Sequence, residues 1–578
     1  MTAYKTLLKK HKARIIWSPL LVLVFVICET TLPYFMSLII DEGIMANNWD
    51  VIVKVGIAMI GISIVSLVSN LLNIYISSKV SVQFGTDLRS RVFEKIQSFS
   101  IQDIEQFQPS TLITRLTNDI SMIQRAVLML LRVFLRAPLM LLFVFIFIIK
   151  ISPSLSLIVL MAIIVLSVVV TLILRMAFPL FTKTQEKLDR LNRVIQENLN
   201  NIRVVKSYVR EDLEIKKFKK SNRAHRDITL KAWDILVSAY PIMELIINTA
   251  IIIVLWIGGY RVMNQQIQVG ELIAIINYFV QVLMALMMLS FTMMGFARAM
   301  ASSKRIQEIL NFTPTLLENE NTPHHKIKEG SIEFKEVCLH YAPDDEKVLD
   351  EVSFKIEPGE TIAIVGATGS GKSSLLNLIP RLYDVTSGAI LIDGKNIKDY
   401  SKKALRSQIG VVFQVNDLFT GTIAENLRWG NLKASREELE QAARIAGAHD
   451  FIVQLNKGYE TPLGRGGVNL SGGQRQRICI ARALLSHPKI LLLDDSTSAV
   501  DANTEKKIWE NLSSMTGSMT TLIVTQRIHT LNSVHRVIVM DKGRVAAFDS
   551  PQALMKKSKT YQELFHLQTE INAHDTKE

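Results

Sequence analysis

The stretch Val365-Gly366-Ala367-Thr368-Gly369-Ser370-Gly371-Lys372-Ser373-Ser374 fits the pattern GxxxxGK[ST]. It follows a strand-like segment, 361–365, and precedes a helix-like one, 373–378, which is the context the motif requires. Glycines there let backbone N–H groups curl around phosphate oxygens. Lys372 can reach the β and γ oxygens, and the Ser373 hydroxyl can ligate Mg²⁺. Downstream, Ile490-Leu491-Leu492-Leu493-Asp494 reads as a buried strand ending in a carboxylate, a further contact for that Mg²⁺. Two motifs in this order exclude a chance glycine-rich turn. From about Gly330 onward, short β-branched segments alternate with helical ones, as in a parallel α/β domain.

Upstream of this unit the chain changes character. Apolar runs of about 20 residues, long enough to cross a bilayer, all fall in the first 300 positions: 15–40, 56–76, 127–149, 151–174, 235–260 and 272–297. The third contains Arg132 and Arg136, so only 137–149 is free of charge. The first is too long for a cleaved leader, and no small-residue cleavage site follows it. The segment 313–328, with Pro314, Pro323 and mixed charges, reads as a linker. The expected organisation is a membrane domain over 1–312, a linker over 313–330 and a nucleotide-binding domain over 331–570.

Composition agrees with a mixed chain. Of 578 residues, 49% are hydrophobic and 21% charged, and the mean hydropathy is +0.24. Disorder needs lower hydrophobicity and higher charge. Cys28, Cys338 and Cys479 lie far apart without CxxC or Cys/His pairing, which excludes a disulfide scaffold and a zinc site. Lys and Arg number 66 against 53 Asp and Glu, a net charge of +13. The basic residues concentrate in the N-terminal segment (Lys5, Lys9, Lys10, Lys12, Arg14) and in the connections 79–125 and 183–231. Positive-inside reasoning puts both termini and both long loops in the cytoplasm, with the chain multi-pass in the cell membrane. That placement accounts for most of the surplus charge. No RNA- or DNA-binding motif accompanies it, so nucleic acid is not an expected partner.

Between the two nucleotide motifs lies Leu470-Ser471-Gly472-Gly473-Gln474-Arg475-Gln476-Arg477. With it, the chain resembles an ATP-binding-cassette (ABC) exporter half-transporter: six membrane spans fused to one α/β P-loop cassette with a helical subdomain. The resemblance implies ATP and Mg²⁺ as ligands. It implies that Tyr341 stacks on adenine and that Gln414 links the γ-phosphate and metal to the membrane domain, although Phe413 stands where proline is more usual. Ser373, Gln414 and Asp494 become the metal set. Ser471, Gly472, Gly473 and Gln474 become the signature, offered in trans to a second cassette, and Ser498-Ala499-Val500-Asp501 the loop crossing the dimer interface. A glycine pair opening a helix brings unpaired N–H groups and the positive dipole end to a phosphate.

Two departures bear on the kind of dimer. The family usually has a glutamate after the Walker-B aspartate, where this chain has Asp495, one methylene shorter. The switch histidine is replaced in Thr525-Gln526-Arg527 by a glutamine, which cannot carry a proton as imidazole does. With Lys372, Ser373 and the signature intact, the combination resembles the degenerate-site subunit of heterodimeric bacterial multidrug exporters. In the first long loop, Leu112–Asp119 fits the exporter pattern beside a coupling helix at about 100–107, and 202–210 fits the second coupling region. For cargo, Met284, Met287, Met288, Met293, Met294 and Met300 crowd the sixth span, while Glu244 and Glu29 lie inside spans. These carboxylates suit cationic amphiphiles or proton coupling, or else pair with Arg132 or Arg136. Three readings follow: export of drug-like amphiphiles, lipid or lipopeptide flipping, and ATP sensing that gates a partner.

Overall fold

The computed structural model describes residues 6, 12–316, 325–341, 346–495, 500, 502–513, 519–525, 527–531, 533–563 and 565. The chain divides into two units, Met1–Gln97 with Gln108–Phe312, and Ser98–Phe107 with Thr313–Glu578.

In chain order the first helices are α1 (Lys12–Ile44), α2 (Trp49–Gln97), α3 (Ile101–Phe107), α4 (Pro109–Ile151), α5 (Pro153–Asn200), α6 (Ile202–Ser207), α7 (Glu211–Met263) and α8 (Val269–Asn311). Helices α1, α2, α4, α5, α7 and α8 each contain a stretch long and apolar enough to cross a membrane. At 1.5 Å per residue, α2, α5 and α7 run about 72–80 Å, more than twice the ~30 Å hydrocarbon layer, so much of each must extend beyond it. That length explains why the apolar runs in the sequence are shorter than the helices that carry them. The buried core of this unit includes Val144, Ile148, Leu155, Val159, Ile275 and Phe279, joined by Tyr278, whose hydroxyl donates to the Thr30 carbonyl at 2.8 Å. Helix α4 is interrupted by π-helical turns at Arg115–Asp119 and Leu130–Phe134. At the first of these, buried Asp119 accepts from Ser302 (2.9 Å) and from Arg305 (2.7 Å) on α8.

The second unit contains strands β1 (Ile332–Leu339), β2 (Leu349–Ile356), β3 (Thr361–Gly366), β4 (Ser387–Ile392), β5 (Lys395–Asn396), β6 (Ile409–Val412), β7 (Gly421–Thr422), β8 (Pro462–Leu463), β9 (Ile490–Asp494), β10 (Thr520–Val524), β11 (Arg536–Asp541) and β12 (Arg544–Asp549). A six-stranded sheet has the order β12-β11-β3-β10-β9-β6, parallel except at the β11–β12 edge, and a four-stranded antiparallel sheet has the order β2-β1-β4-β5. Every residue of β3, β9 and β10 is buried, as expected of central parallel strands covered on both faces. Helix α9 (Lys372–Leu378) follows β3; α12 (Gly472–Leu484) packs against β6, and α10 (Ile423–Arg428) and α11 (Arg436–Ile445) pack on α12, with Ile423, Leu427, Leu439 and Ile480 in one buried cluster.

The segment Ser98–Phe107 groups with this second unit although the sequence places it inside the first. Asp103 of α3 is fully buried and accepts from the Ser100 backbone N–H at 2.8 Å and from the Thr315 hydroxyl at 2.9 Å. A second carboxylate clamp lies at the other end of the linker. Asp393 accepts the backbone N–H groups of Lys328 (2.6 Å), Glu329 (3.1 Å), Gly330 (2.8 Å) and Ser331 (3.0 Å). Burial alone would raise its pKa, but these four bonds outweigh it and hold the carboxyl below its usual range.

Candidate nucleotide site

The loop between β3 and α9 is shaped by glycine. Gly371 enters α9 in the left-handed region at φ 95°, and a Cβ there would meet Leu349 Cδ2 at 2.8 Å and the Val348 carbonyl at 2.9 Å. Only glycine leaves the loop backbone this close to its neighbours. A cavity of about 270 Å³ opens above it, lined among others by Thr368, Gly369, Lys372, Ser373, Gln414, Asp494 and Asp495. The fold therefore gathers into one place groups that the sequence spreads over more than a hundred positions.

Parallel pairing does the gathering. Asp494 ends β9 opposite Val524 of β10, which in turn pairs with Ile364 of β3, so the carboxylate and the phosphate loop emerge at the same sheet edge. Ser373 Oγ donates to Asp494 Oδ1 at 3.1 Å. Lys372 Nζ donates to the carbonyls of Gly366 (2.9 Å) and Ala367 (2.7 Å). Burial lowers the Lys372 pKa, while the charges of Asp494 and Asp495 oppose the shift. Burial raises the pKa of Asp494, against the Ser373 bond and Lys372. Asp495 is raised first by burial and then by the charge of Asp494. It sits at φ 47°, a left-handed conformation that aspartate tolerates better than most residues. Its carbonyl accepts from Gln476 of α12 at 3.2 Å.

The donor set fits a nucleotide with Mg²⁺. A hydroxyl, a carboxylate and an amide oxygen line one cavity, and Mg²⁺ takes few protein oxygens together with phosphate and water. No cluster of three or more His, Cys, Asp or Glu side chains able to hold a metal alone occurs among the described residues.

Tyr341 is outside the cavity lining but beside it. Its hydroxyl is hydrogen-bonded to Ser374 Oγ (2.8 Å), and its ring stands edge-on to Tyr383 at 5.0 Å. Its carbonyl accepts from Gln102 of α3 at 2.7 Å, and Tyr383 donates to Glu105 of α3 at 3.4 Å. The resemblance implies that a short helix near 100–107 rests on a cassette, but it does not name these partners, because no pattern in a single sequence records which residues meet across 239 positions.

The signature lies apart from this cavity. Ser471 caps α12 and bonds reciprocally with Gln474: Ser471 Oγ accepts from the Gln474 N–H at 3.2 Å, and Gln474 Oε1 from the Ser471 N–H at 2.9 Å. Gly472 and Gly473 open the same helix, partly exposed. Gln526, Ser498, Ala499 and Asp501 lie outside the described residues. Nearby, Arg527 donates to the Val500 carbonyl at 3.0 Å and pairs with buried Glu505.

In the membrane unit, Glu29 pairs with Arg136 at 2.9 Å, one of the outcomes expected from sequence. Glu244 is exposed and makes no ion pair among the described residues. Met284 is exposed, whereas Met287 and Met288 are half-buried. The side chains of Met293 and Met294 lie outside the description.

This fold and site define a membrane protein powered by a phosphate-loop ATPase. The comparisons name the family. The description "ABC transporter transmembrane region" matches residues 15–286, and "ABC transporter" matches 349–498. The chain is 41% identical over 540 residues to the ABC transporter ATP-binding protein YfiB of Bacillus subtilis, covering 93% of this chain and 94% of that one. It is 33% identical to an ATP-dependent lipid A-core flippase of Desulfotalea psychrophila over 85% of this chain and 86% of that one. It is 32% identical, over 83% of both chains, to YgaD of Bacillus subtilis, whose name provisionally assigns it to multidrug export. A bacterial Atm1-family ABC exporter solved with ATP bound superposes with a TM-score of 0.82 at 25% identity, covering 96% of this chain and 98% of that one. The chain belongs to the ABC transporter family and is an exporter half-transporter, with an ATP-binding ATPase unit and a multi-pass membrane unit in one polypeptide.

Proposed function

We propose that this chain is the degenerate-site half of a heterodimeric exporter, moving amphiphilic, drug-like compounds outward across the cytoplasmic membrane with its ATP-binding unit and both termini in the cytoplasm. The observation that carries the reading is Asp495, which lines the cavity beside Asp494 where the family usually has glutamate. Burial and the charge of Asp494 raise its pKa, and its side chain is one methylene shorter than the usual glutamate. A general base displaced from its water typically costs about 10²–10⁴ in rate. Gln526 in place of histidine acts on the same phosphate. The phosphate loop, with Gly366 to Ser374, binds ATP; Tyr341 supports adenine; Ser373, Gln414 and Asp494 hold Mg²⁺. Ser471, Gly472, Gly473 and Gln474 complete the partner's competent site. Similarity to a lipid A-core flippase favours lipid flipping as the second reading.

The test is steady-state ATPase of this chain alone and with a partner half-transporter carrying Glu and His at the two variant positions. Co-expression should raise activity at least about tenfold, given the cost of a misplaced base. A homodimer that turns over ATP rapidly and is stimulated by substrate would overturn both the partner and the degenerate-site assignments.

A further inference from the structure

A polar cavity in the membrane unit has no part in ATP chemistry. It encloses about 180 Å³; its polar lining includes Arg132, Arg136 and Asn73, and its apolar lining includes Val22, Phe25 and Met288. Arg132 donates from Nε to Ser77 Oγ (3.2 Å), and from Nη2 to Ser78 Oγ (3.0 Å) and the Ile74 carbonyl (3.2 Å). All three acceptors are neutral, so the guanidinium is oriented while its charge is left uncancelled. Arg136 gives Nη2 to both oxygens of Glu29, at 2.9 and 3.2 Å, and stacks on Phe25 at 4.3 Å. Its buried Nε has no hydrogen-bond partner.

The local backbone singles out the same place. Arg132 lies in the π-helical turn Leu130–Phe134, an irregularity that appears frequently at functional sites. A guanidinium does not deprotonate, and its planar fork matches carboxylate and phosphate oxygens. Charged side chains within membrane spans are costly and by default mark ligand or ion paths. Two arginines against one carboxylate leave the cluster with one positive charge in excess.

We propose that this cavity binds the acid group, carboxylate or phosphate, of an anionic amphiphile. Arg132 holds the head, and Val22, Phe25 and Met288 meet the start of the tail. The proposal rests on the exporter reading and names its substrate class. It reverses the expectation that membrane carboxylates recruit a cation: Glu29 is occupied by Arg136, and Glu244 does not line this cavity.

The full chain in nanodiscs of zwitterionic lipid is titrated with dodecyl phosphate, dodecyltrimethylammonium and inorganic phosphate, with protein-free discs as the reference. Dodecyl phosphate should bind saturably and outrank the other two. Arg132→Gln should weaken it about tenfold or more, and Arg132→Lys, which keeps the charge but not the fork, should weaken it less than Arg132→Gln does. Dodecyltrimethylammonium binding as tightly overturns the proposal, as does an Arg132→Gln chain that binds dodecyl phosphate undiminished. Inorganic phosphate binding as tightly as dodecyl phosphate also overturns it, because the tail would then contribute nothing. The ranking on the unmodified chain decides the matter even where a variant fails to fold. A chain that labels with an ATP analogue yet binds no dodecyl phosphate loses this site and leaves the exporter reading standing.

Discussion

The cassette cavity and the membrane cavity carry charge of opposite balance: three charged side chains line the first and two, both arginines, line the second. In the cassette, Asp494 and Asp495 outnumber Lys372; in the membrane unit, Arg132 and Arg136 outnumber Glu29, which is bound to Arg136. A polyphosphate is the most anionic of common ligands, yet its cavity is the acid-rich one. The carboxylates there repel it unless a divalent cation intervenes, whereas the base-rich cavity needs no counter-ion to hold an acid. Charge balance, more than depth or size, separates a ligand that must arrive with a metal from one that need not.

A large effect should come from removing Lys372, the one cation lining the acid-rich cavity among the described residues. Lys372→Ala takes away the charged donor that can reach the phosphates, and photolabelling by an ATP analogue should fall by about 10²-fold, since hydrogen bonds from charged groups contribute about 1.5–3 kcal/mol each. Retained labelling would break the comparison, because the cavity would then hold a polyphosphate with acids alone. Gly472→Asp, tested together with the partner half-transporter of the proposed heterodimer, should lower steady-state ATPase by about 10²–10³, while Asp495→Asn should cost only about a few-fold. If Asp495→Asn is the more damaging, the roles of the two sites are exchanged.

Chelating Mg²⁺ should weaken ATP-analogue binding about tenfold or more, leaving the two aspartates to face the phosphates uncompensated. Dodecyl phosphate binding in the same chelator should not change. A shift in both would mean that the two cavities do not differ in their need for a cation. On the other side, Glu29→Gln frees Arg136 and should tighten dodecyl phosphate about threefold, read by the same titration.

A small effect concerns a carboxylate in neither cavity. Asp393 holds four backbone N–H groups, and Asn offers only one acceptor oxygen; in this partly exposed site Asp393→Asn should cost about 1 kcal/mol at neutral pH, read by thermal melting of the full chain. Its pKa is depressed in the folded chain, so its contribution is complete above the unfolded value of about 3.9 and is lost as pH falls through the lower folded value. Wild type should therefore lose more stability than the variant between pH 5 and about 3. Parallel losses would remove Asp393 from the account.

The phosphate loop, the strand ending at Asp494 and the six apolar runs were legible because each is a local pattern: glycine spacing, a run of aliphatic residues, a predominantly apolar length. Lys372, Ser373, Asp494 and Asp495 could be nominated one by one, but their meeting depends on β3, β10 and β9 lying side by side, which chain order does not state. The excess charge at Arg132 was illegible for a related reason. In sequence, Arg132 and Arg136 are equivalent interruptions of one span. Only the packing of α1 against α4 gives Arg136 a carboxylate and leaves Arg132 with hydroxyl and carbonyl oxygens.

The grouping of Ser98–Phe107 with the cassette changes what a single cut in the backbone would do. The chain passes between the two units at three places, after Gln97, after Phe107 and after Phe312, whereas the linker runs through the third alone. A protease nick between the clamps at Thr315 and Lys328 would therefore leave the cassette fastened to α3, through Gln102 on Tyr341 and Glu105 on Tyr383. Such a nicked protein should migrate as one particle in native conditions and as two fragments only after denaturation. A cassette expressed from residue 313 onward, by contrast, would lack Asp103 for Thr315 and the cover over Tyr341, leaving bare a face that the intact chain supplies from its own membrane half.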